Sequence, residues 1–173
     1  EIYTLSLHDA LPISAVCPGS FDPITVGHLD IITRASEMFT KVIVVVMTNT
    51  SKKPSFSVEE RMEMIRKATA AIPNVEVDAY GGLLADYTRL KQAKAIIKGL
   101  RAMSDFEYEF QMSLTNKKLN PEAETIFLTT RSEYMYLSSS MVKLIGSMGG
   151  DIRDFVPAVI HEDIKRRLSG KDA

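Results

Sequence analysis

The fold of this chain is decided by residues 15–28, Ala-Val-Cys-Pro-Gly-Ser-Phe-Asp-Pro-Ile-Thr-Val-Gly-His. The first three residues form a short β-prone run that Pro18-Gly19 stops. From about Val26, apolar residues recur at intervals of three and four, which predicts a helix. His28 therefore lies in the first helical turn, where free backbone N–H groups and the helix dipole attract anions. The glycine before it lets a ligand approach the backbone closely.

A Gly-His pair alone is more typical of a helix start that carries a surface histidine. The longer string combines a glycine turn, the Ser20 hydroxyl and His28 at the point where a strand gives way to a helix. This combination indicates phosphate binding at that junction.

Strand and helix patterns alternate along the rest of the chain. Ser57-Val-Glu-Glu60 has the form of a capping box and begins a helix that Pro73 ends. The other predicted helices are 83–93, 104–119, 139–148 and 158–168, and the other predicted strands are 42–47, 75–77, 95–97 and 125–128. The alternation predicts a doubly wound α/β fold whose five-stranded, mostly parallel sheet carries helices on both faces.

In such a sheet, ligands bind beyond the carboxyl ends of the strands, where the strand order reverses. The unusual loops of this chain all follow predicted strands, so we expect them to converge on one crevice. They are residues 18–28, 48–56, 98–101 and 129–140.

Composition limits the classes of function. A chain of 173 residues with 45% hydrophobic content is sufficient for one domain, and its net charge of −1 gives no long-range attraction to nucleic acid or to an anionic membrane. Cys17 is the only cysteine, which excludes an intramolecular disulfide and a multi-cysteine metal site. We expect Cys17 to be a buried structural residue of a protein in the reducing cytoplasm.

Residues 1–13 do not match the pattern of the rest. They contain neither a charged and then apolar signal sequence nor a membrane span, and Pro12 interrupts them. We expect this segment to be a non-native extension, and residues 14–173 to form a single domain.

Four motifs together resemble the nucleotidylyltransferase superfamily, and within it most closely the bacterial phosphopantetheine adenylyltransferase family. They are residues 18–28, Lys52-Lys53-Pro54, Lys98-Gly-Leu-Arg101 followed by Asp105-Phe-Glu-Tyr-Glu109, and residues 134–140. The resemblance implies a Rossmann-like nucleotidyltransferase fold. It also implies transfer of the adenylyl group of ATP to 4′-phosphopantetheine, which gives dephospho-coenzyme A and pyrophosphate.

The resemblance also implies roles for individual residues. His28 stabilises the transition state, Lys52 holds the attacking phosphate, and Arg101 bridges phosphates of ATP; these are the candidate catalytic residues. The candidate ATP-binding residues are Ser20, Phe21, His28, Gly99, Leu100, Arg101, Glu109, Tyr134, Met135, Tyr136, Leu137, Ser138, Ser139 and Ser140. The candidate residues for the acceptor substrate are Ser20, Lys52, Leu84 and Lys98.

Several of these motifs have simpler interpretations when taken alone. Lys52-Lys53-Pro54 is an ordinary solvated turn, Ser138–Ser140 caps a helix, and Glu107 with Glu109 forms a polar helix face. Lys143 lies where related families often carry a basic residue, and His161 is expected to be a solvated surface residue of a charged helix.

Cofactor and partner expectations follow the same resemblance. No His, Cys and carboxylate cluster has metal-ligand spacing, so we expect no metal site built by protein residues, and Mg²⁺ to arrive with ATP. The family implies a homohexamer and feedback binding of coenzyme A. The predicted helix 104–119 carries more large apolar residues than one buried stripe requires, which suits a subunit contact or a thickly buried helix.

Two other functions remain open. One is a sibling transferase that uses nicotinate mononucleotide or glycerol phosphate, although Thr25, where many siblings have a first histidine, favours the pantetheine branch. The other is a nucleotide-binding module without turnover.

Overall fold

The computed structural model describes residues 13–48 and 53–170. Within them, five strands form one parallel sheet in the order β3-β2-β1-β4-β5. The strands are β1 Ser14–Gly19, β2 Lys41–Met47, β3 Val75–Tyr80, β4 Ala95–Leu100 and β5 Glu124–Thr129. The order reverses between β1 and β4, so the predicted doubly wound fold is confirmed.

In the described residues, four helices each connect one strand to the next, and two more helices follow the last strand. They are α1 Val26–Met38, α2 Val58–Thr69, α3 Leu84–Leu90, α4 Met103–Leu119, α5 Ser139–Ser147 and α6 His161–Leu168. Short 3-10 segments, Ser132–Tyr134 and Ala158–Ile160, precede α5 and α6. The capping box predicted at Ser57 is present, since its side chain accepts from the Glu60 N–H while the Glu60 carboxylate accepts from the Ser57 N–H.

Alternate residues of each central strand enter different cores. Cys17 and Val44 belong to a larger core on the face that α1, α2, α5 and α6 cover. Val16 and Val45 belong to a smaller core on the opposite face, against Tyr87 of α3. This two-residue alternation is what a sheet with two covered faces requires, and it explains why β2 is an uninterrupted apolar run.

Three predicted strand ends were wrong. β3 does not end at Val77, because its ladder with β2 continues to Tyr80. β1 does not stop at Pro18-Gly19, because both residues continue the ladder with β2 as far as Val46. β1 pairs with β4 only at Ala15 and Val16, so beyond Val16 the strand has a partner on one side only, a position that tolerates proline. β4 likewise continues through Lys98 to Leu100 instead of giving way to a loop at Lys98.

Two predictions about helices were also wrong. α3 ends at Leu90 instead of near Ala93, because Gln92 has a left-handed backbone with φ of 53° that a helix cannot continue. His161 is not a solvated surface residue: only 8% of it is exposed. It lies three positions before the fully buried Ile164, and the geometry of α6 turns both toward the core.

None of the helices in the described part of the chain has the length and apolar content needed to cross a membrane.

Candidate active site

A cavity of about 770 Å³ opens at the carboxyl ends of β1 and β4, where the strand order reverses. Three of the four predicted loops line it: the β1–α1 turn, the end of β4 with the start of α4, and the segment between β5 and α5. The described part of the fourth loop, Thr48 and residues 53–56, does not line the cavity, but Ser55 and Phe56 hydrogen-bond to the β1–α1 turn. The predicted convergence therefore holds for three loops.

His28 is the third residue of α1 and takes part in the cap of that helix. The Thr25 hydroxyl accepts from the His28 N–H (3.3 Å), and the Thr25 N–H donates to His28 Nδ1 (3.1 Å). An atom that accepts a hydrogen bond carries no proton, so in the neutral ring the proton is on Nε2. The cap therefore fixes His28 as an Nε2–H donor in the wall of the cavity.

The surroundings of His28 also determine its charge. Burial, and then the positive charge of Arg101, lower the pKa of His28 from 6.5 to about 4. Near pH 7 the ring is neutral. The Phe21 ring and the imidazole pack edge to face with centroids 5.2 Å apart, which limits how the imidazole can turn.

The turn that precedes α1 has an unusual backbone. Phe21 has φ of 47°, a left-handed conformation that is uncommon for a bulky side chain and typical of functional sites. Its ring folds back over Gly19, where a Cβ would lie only 2.9 Å from the ring. Glycine at position 19 thus leaves the space that Phe21 needs, while the exposed Ser20 lines the cavity.

Two cationic residues from the end of β4 enter the cavity wall. Lys98 Nζ lies 3.3 Å from a carboxylate oxygen of Glu109 on α4. Arg101 donates to the Leu137 carbonyl (2.8 Å) and its Nε lies 3.3 Å from the Asp105 carboxylate. Because a guanidinium has five N–H donors, Arg101 keeps others for a ligand while its plane is held in place.

The start of α5 completes the cavity with hydroxyl groups. Ser138 caps the helix by accepting from the Met141 N–H (3.1 Å), and Ser139 donates to the Pro23 carbonyl (2.8 Å). Ser138, Ser139 and Ser140 all line the cavity. The predicted cap and the predicted anion-binding end of a helix are therefore compatible here.

Most predicted site residues lie around this one cavity, and a few do not. Ser20, Phe21, His28, Lys98, Gly99, Arg101, Glu109, Tyr134, Leu137 and the three serines line it. Leu100, Met135 and Tyr136 are not in its wall, and Lys52 lies outside the described residues. Leu84 lines a smaller adjoining cavity of about 70 Å³, which shares Lys98, Tyr108 and Glu109 with the larger one.

Cys17 also borders the main cavity, but it is not set up as a nucleophile. Only 4% of the residue is exposed, and burial raises the pKa of its thiol to about 12. The thiol therefore stays protonated near pH 7, which agrees with its predicted structural role.

The described residues contain no group of three or more His, Cys, Asp or Glu side chains that could hold a metal ion.

Sequence reasoning assigned no site role to several residues that line the cavity, among them Thr25, nor to Asp22 next to it. Thr25 had a local signal, because Thr-x-x-His just before a helix is a capping box in which histidine replaces the usual Glu or Gln. Asp22 had none. It is buried, with 6% exposed, and it binds Lys143 together with the backbone of Ser55 and Phe56, all distant in the sequence.

This fold and cavity are those of a nucleotidyltransferase, and comparison with known proteins agrees. The model of the cytidylyltransferase-like family matches residues 16–145. A phosphopantetheine adenylyltransferase of Caldanaerobacter subterraneus subsp. tengcongensis is 55% identical over 154 residues, which cover 89% of this chain and 96% of that protein. A phosphopantetheine adenylyltransferase of Clostridium tetani is 55% identical over 157 residues, 91% of this chain and 98% of that protein.

The chain belongs to the phosphopantetheine adenylyltransferase family, within the cytidylyltransferase-like proteins. A solved structure of Plasmodium falciparum nicotinic acid mononucleotide adenylyltransferase complexed with APC has the same fold, with a TM-score of 0.65. It is 14% identical, and the match covers 94% of this chain and 96% of that one.

Proposed function

We propose that this protein transfers the adenylyl group of ATP to 4′-phosphopantetheine and releases dephospho-coenzyme A and pyrophosphate. The observation that carries the proposal is one cavity that joins His28, Arg101 and the N-terminal ends of two helices, in a chain 55% identical to phosphopantetheine adenylyltransferases. These groups are hydrogen-bond donors, which suit a ligand with several phosphates.

The reaction needs no nucleophile from the protein. An oxygen of the acceptor's phosphate attacks the α-phosphorus, a new P–O bond forms, and the bond from the α-phosphorus to the oxygen shared with the β-phosphate breaks. Pyrophosphate leaves with that bonding pair. Catalysis is then a matter of positioning the reactants and stabilising the charge that develops on oxygen.

His28 is suited to that stabilisation. Its Nε2–H donates to an α-phosphate oxygen as negative charge grows there, and the Thr25 N–H holds the ring through Nδ1. Because the ring is neutral, it keeps its proton and acts as an electrostatic donor.

The other residues hold phosphates on either side of the α-phosphorus. Arg101 and Ser138–Ser140 bind the β- and γ-phosphates, and Glu109 contacts the nucleotide. Ser20 and Phe21 contact the phosphate side of both substrates. Lys52 and Lys98 hold the acceptor's phosphate, and Leu84 borders its pantetheine arm. Gly99, Leu100 and Tyr134–Leu137 form the nucleotide wall.

Mg²⁺ accompanies ATP and supplies further neutralisation of phosphate charge. Such an ion keeps several waters and binds mainly through phosphate oxygens.

The test offers the protein ATP, magnesium and one acceptor at a time: 4′-phosphopantetheine, nicotinate mononucleotide or glycerol phosphate. We expect pyrophosphate only with 4′-phosphopantetheine. If pyrophosphate is released with another acceptor, the protein is a sibling transferase that uses that acceptor. If pyrophosphate is released with none of them, the protein is a nucleotide-binding module without turnover.

The role of His28 is tested by His28→Ala. We expect kcat to fall by about 10²- to 10³-fold, as for removal of one donor to a developing oxyanion. The control is His28→Gln, because glutamine at this position restores the capping box and separates loss of the cap from loss of the imidazole. ATP affinity measured by calorimetry should change little in either variant. Turnover near that of the wild type in His28→Ala would remove His28 from the mechanism.

We also propose that the protein is a cytoplasmic homohexamer that coenzyme A inhibits. A lone buried cysteine suits a reducing compartment, and α4 carries exposed large apolar side chains that suit a subunit contact. Coenzyme A shares the adenylyl and pantetheine groups of the product, so it is expected to compete for the same cavity. Inhibition that is competitive with both substrates would support this, and no inhibition at saturating coenzyme A would contradict it.

A further inference from the structure

The Asp22 carboxylate lies at a junction of three segments. The Ser55 N–H donates to both of its oxygens at 3.1 Å, and the Phe56 N–H donates to Oδ1 at 2.9 Å. Lys143 of α5 donates to Oδ2 at 2.8 Å. One buried side chain thus connects the β1–α1 turn to the approach to α2 and to α5.

The surroundings of Asp22 favour the ionised form of its carboxyl group. Burial by itself raises the pKa of a carboxyl group, but the hydrogen bond from Lys143 and those from the two backbone groups outweigh it, so the pKa of Asp22 is lowered. A buried carboxylate with this many donors is ordered, and losing its cation would leave a buried charge without its partner.

Neighbouring contacts hold the same turn. Arg61 of α2, itself 4% exposed, donates to the Ser20 carbonyl at 2.9 Å. Ser139 donates to the Pro23 carbonyl at 2.8 Å. The left-handed Phe21 lies between these anchored positions, and a conformation of this kind persists only where its surroundings fix it.

The turn and α5 are parts of the same cavity. Ser20 and Phe21 line it from the turn, Ser138–Ser140 line it from α5, and the Phe21 ring contacts His28. We propose that the Asp22–Lys143 ion pair is a positioning device that keeps these two phosphate-binding segments in register. Neither residue lines the cavity, so each acts through the segment that it holds.

The proposal rests on the proposed function for its kinetic consequence. Misplacing one segment relative to the other weakens interactions that are made only in the transition state, so kcat falls while KM changes little. A displacement of about 1 Å can lower a rate about 100-fold.

The test compares Asp22→Asn, Lys143→Met and the double variant with the wild type. We expect each single variant to lower kcat by about 10- to 100-fold with KM for ATP nearly unchanged. The double variant should be no worse than the poorer single variant, because the two residues act as one unit. The control is Lys67→Met, which removes an ion pair of similar length (3.0 Å, to Asp163) that joins α2 and α6 away from the cavity.

Hydrogen exchange gives a readout that needs no turnover. In either single variant, amide hydrogen exchange should become faster in both residues 20–25 and residues 138–142. Lys67→Met should leave the exchange rates of both segments unchanged. Lys143→Met leaves in place the backbone N–H groups of Ser55 and Phe56 that donate to the Asp22 carboxylate. The test can therefore be made with this variant if Asp22→Asn does not fold.

The outcomes are distinct. Additive losses in the double variant, or faster exchange in only one segment, would overturn the positioning role. A lower melting temperature with unchanged kcat per folded molecule would show a purely structural pair. If the wild type releases no pyrophosphate, the proposed function is contradicted. Faster hydrogen exchange in both segments of the single variants would still support the positioning role of the ion pair.

Discussion

His28 combines two roles at the scale of a single residue. Its Nδ1 accepts a hydrogen bond that caps α1, and this bond leaves the proton on Nε2, in the wall of the cavity. Sequence reasoning predicted the position of His28 at the helix start correctly. It left the protonation state open, because the helix dipole lowers a histidine pKa while phosphates raise it. The structure adds burial and Arg101, which both favour the neutral ring.

The charge of His28 can be measured directly. In the free protein we expect the imidazole signals of His28, followed by NMR, to titrate with a midpoint of about 4. The chain has three histidines, and His28→Gln identifies the signal that belongs to His28. A midpoint near 6.5 would mean that His28 is charged in part at neutral pH and would weaken its role as a neutral donor.

The same shift affects stability. The pKa of His28 is 6.5 in the unfolded chain and about 4 in the folded chain. Between these two pH values the unfolded state therefore binds more protons than the folded state. The free energy of unfolding should therefore increase as the pH rises from 4 to 6.5. Urea titrations at several pH values should show a smaller increase for His28→Gln than for the wild type.

At the scale of elements, the β1–α1 turn depends on two glycines for different reasons. Gly19 leaves room for the Phe21 ring, which a Cβ would approach to 2.9 Å. At Gly27 a Cβ would meet protein atoms no closer than 3.5 Å, an ordinary contact, but Gly27 lines the cavity. We therefore expect the fold to need Gly19 and a ligand in the cavity to need Gly27.

Alanine substitutions separate these two needs. Gly27→Ala should keep or raise the melting temperature, because alanine is favoured over glycine in a helix by about 1 kcal/mol, while KM for ATP increases as the methyl group enters ligand space. Gly19→Ala should lower the free energy of unfolding by about 1–3 kcal/mol through overpacking against Phe21. Calorimetry and steady-state kinetics on both variants check this. An unstable Gly27→Ala, or one with wild-type KM, would contradict the assignment.

At the scale of the whole molecule, α4 is the element that the rest of the described chain covers least. Six of its large apolar residues are 36–66% exposed; they are Phe106, Tyr108, Phe110, Met112, Leu114 and Leu119. The apolar composition of this helix suits a subunit contact or a thickly buried helix, and the exposure argues against the second. Tyr108 also lines the cavity, so a partner that covers α4 would lie close to the site.

An oligomer that uses this surface should be sensitive to a charge placed in it. We expect the wild type to have a mass near six times 19.3 kDa by light scattering, and Leu114→Asp to lower that mass. Val159→Asp is the control, because Val159 is 60% exposed, similar to Leu114 at 57%, but lies outside α4. A monomeric wild type, or an equal effect of both substitutions, would exclude α4 as the contact.

The sequence by itself determined the family, the alternating α/β architecture and the starts of α1 and α2. These signals are local: the capping box at Ser57 acts over three residues, and the apolar periodicities that predict α1 and the strands need only one element each. Strand ends were less predictable, because the continuation of β1 through Pro18 depends on which neighbour pairs with it.

Only the tertiary structure decided the strand order, the charge of His28, the burial of His161 and the bonds of Asp22. Each depends on groups that are far apart along the chain and close in space; Asp22 and Lys143 are 121 positions apart. Hydrogen bonding, burial and Coulomb interaction act over a few ångströms regardless of separation along the chain, so no local pattern records them. The motif at residues 18–28 therefore specifies phosphate chemistry, and the folded chain sets the geometry and charge with which it can be carried out.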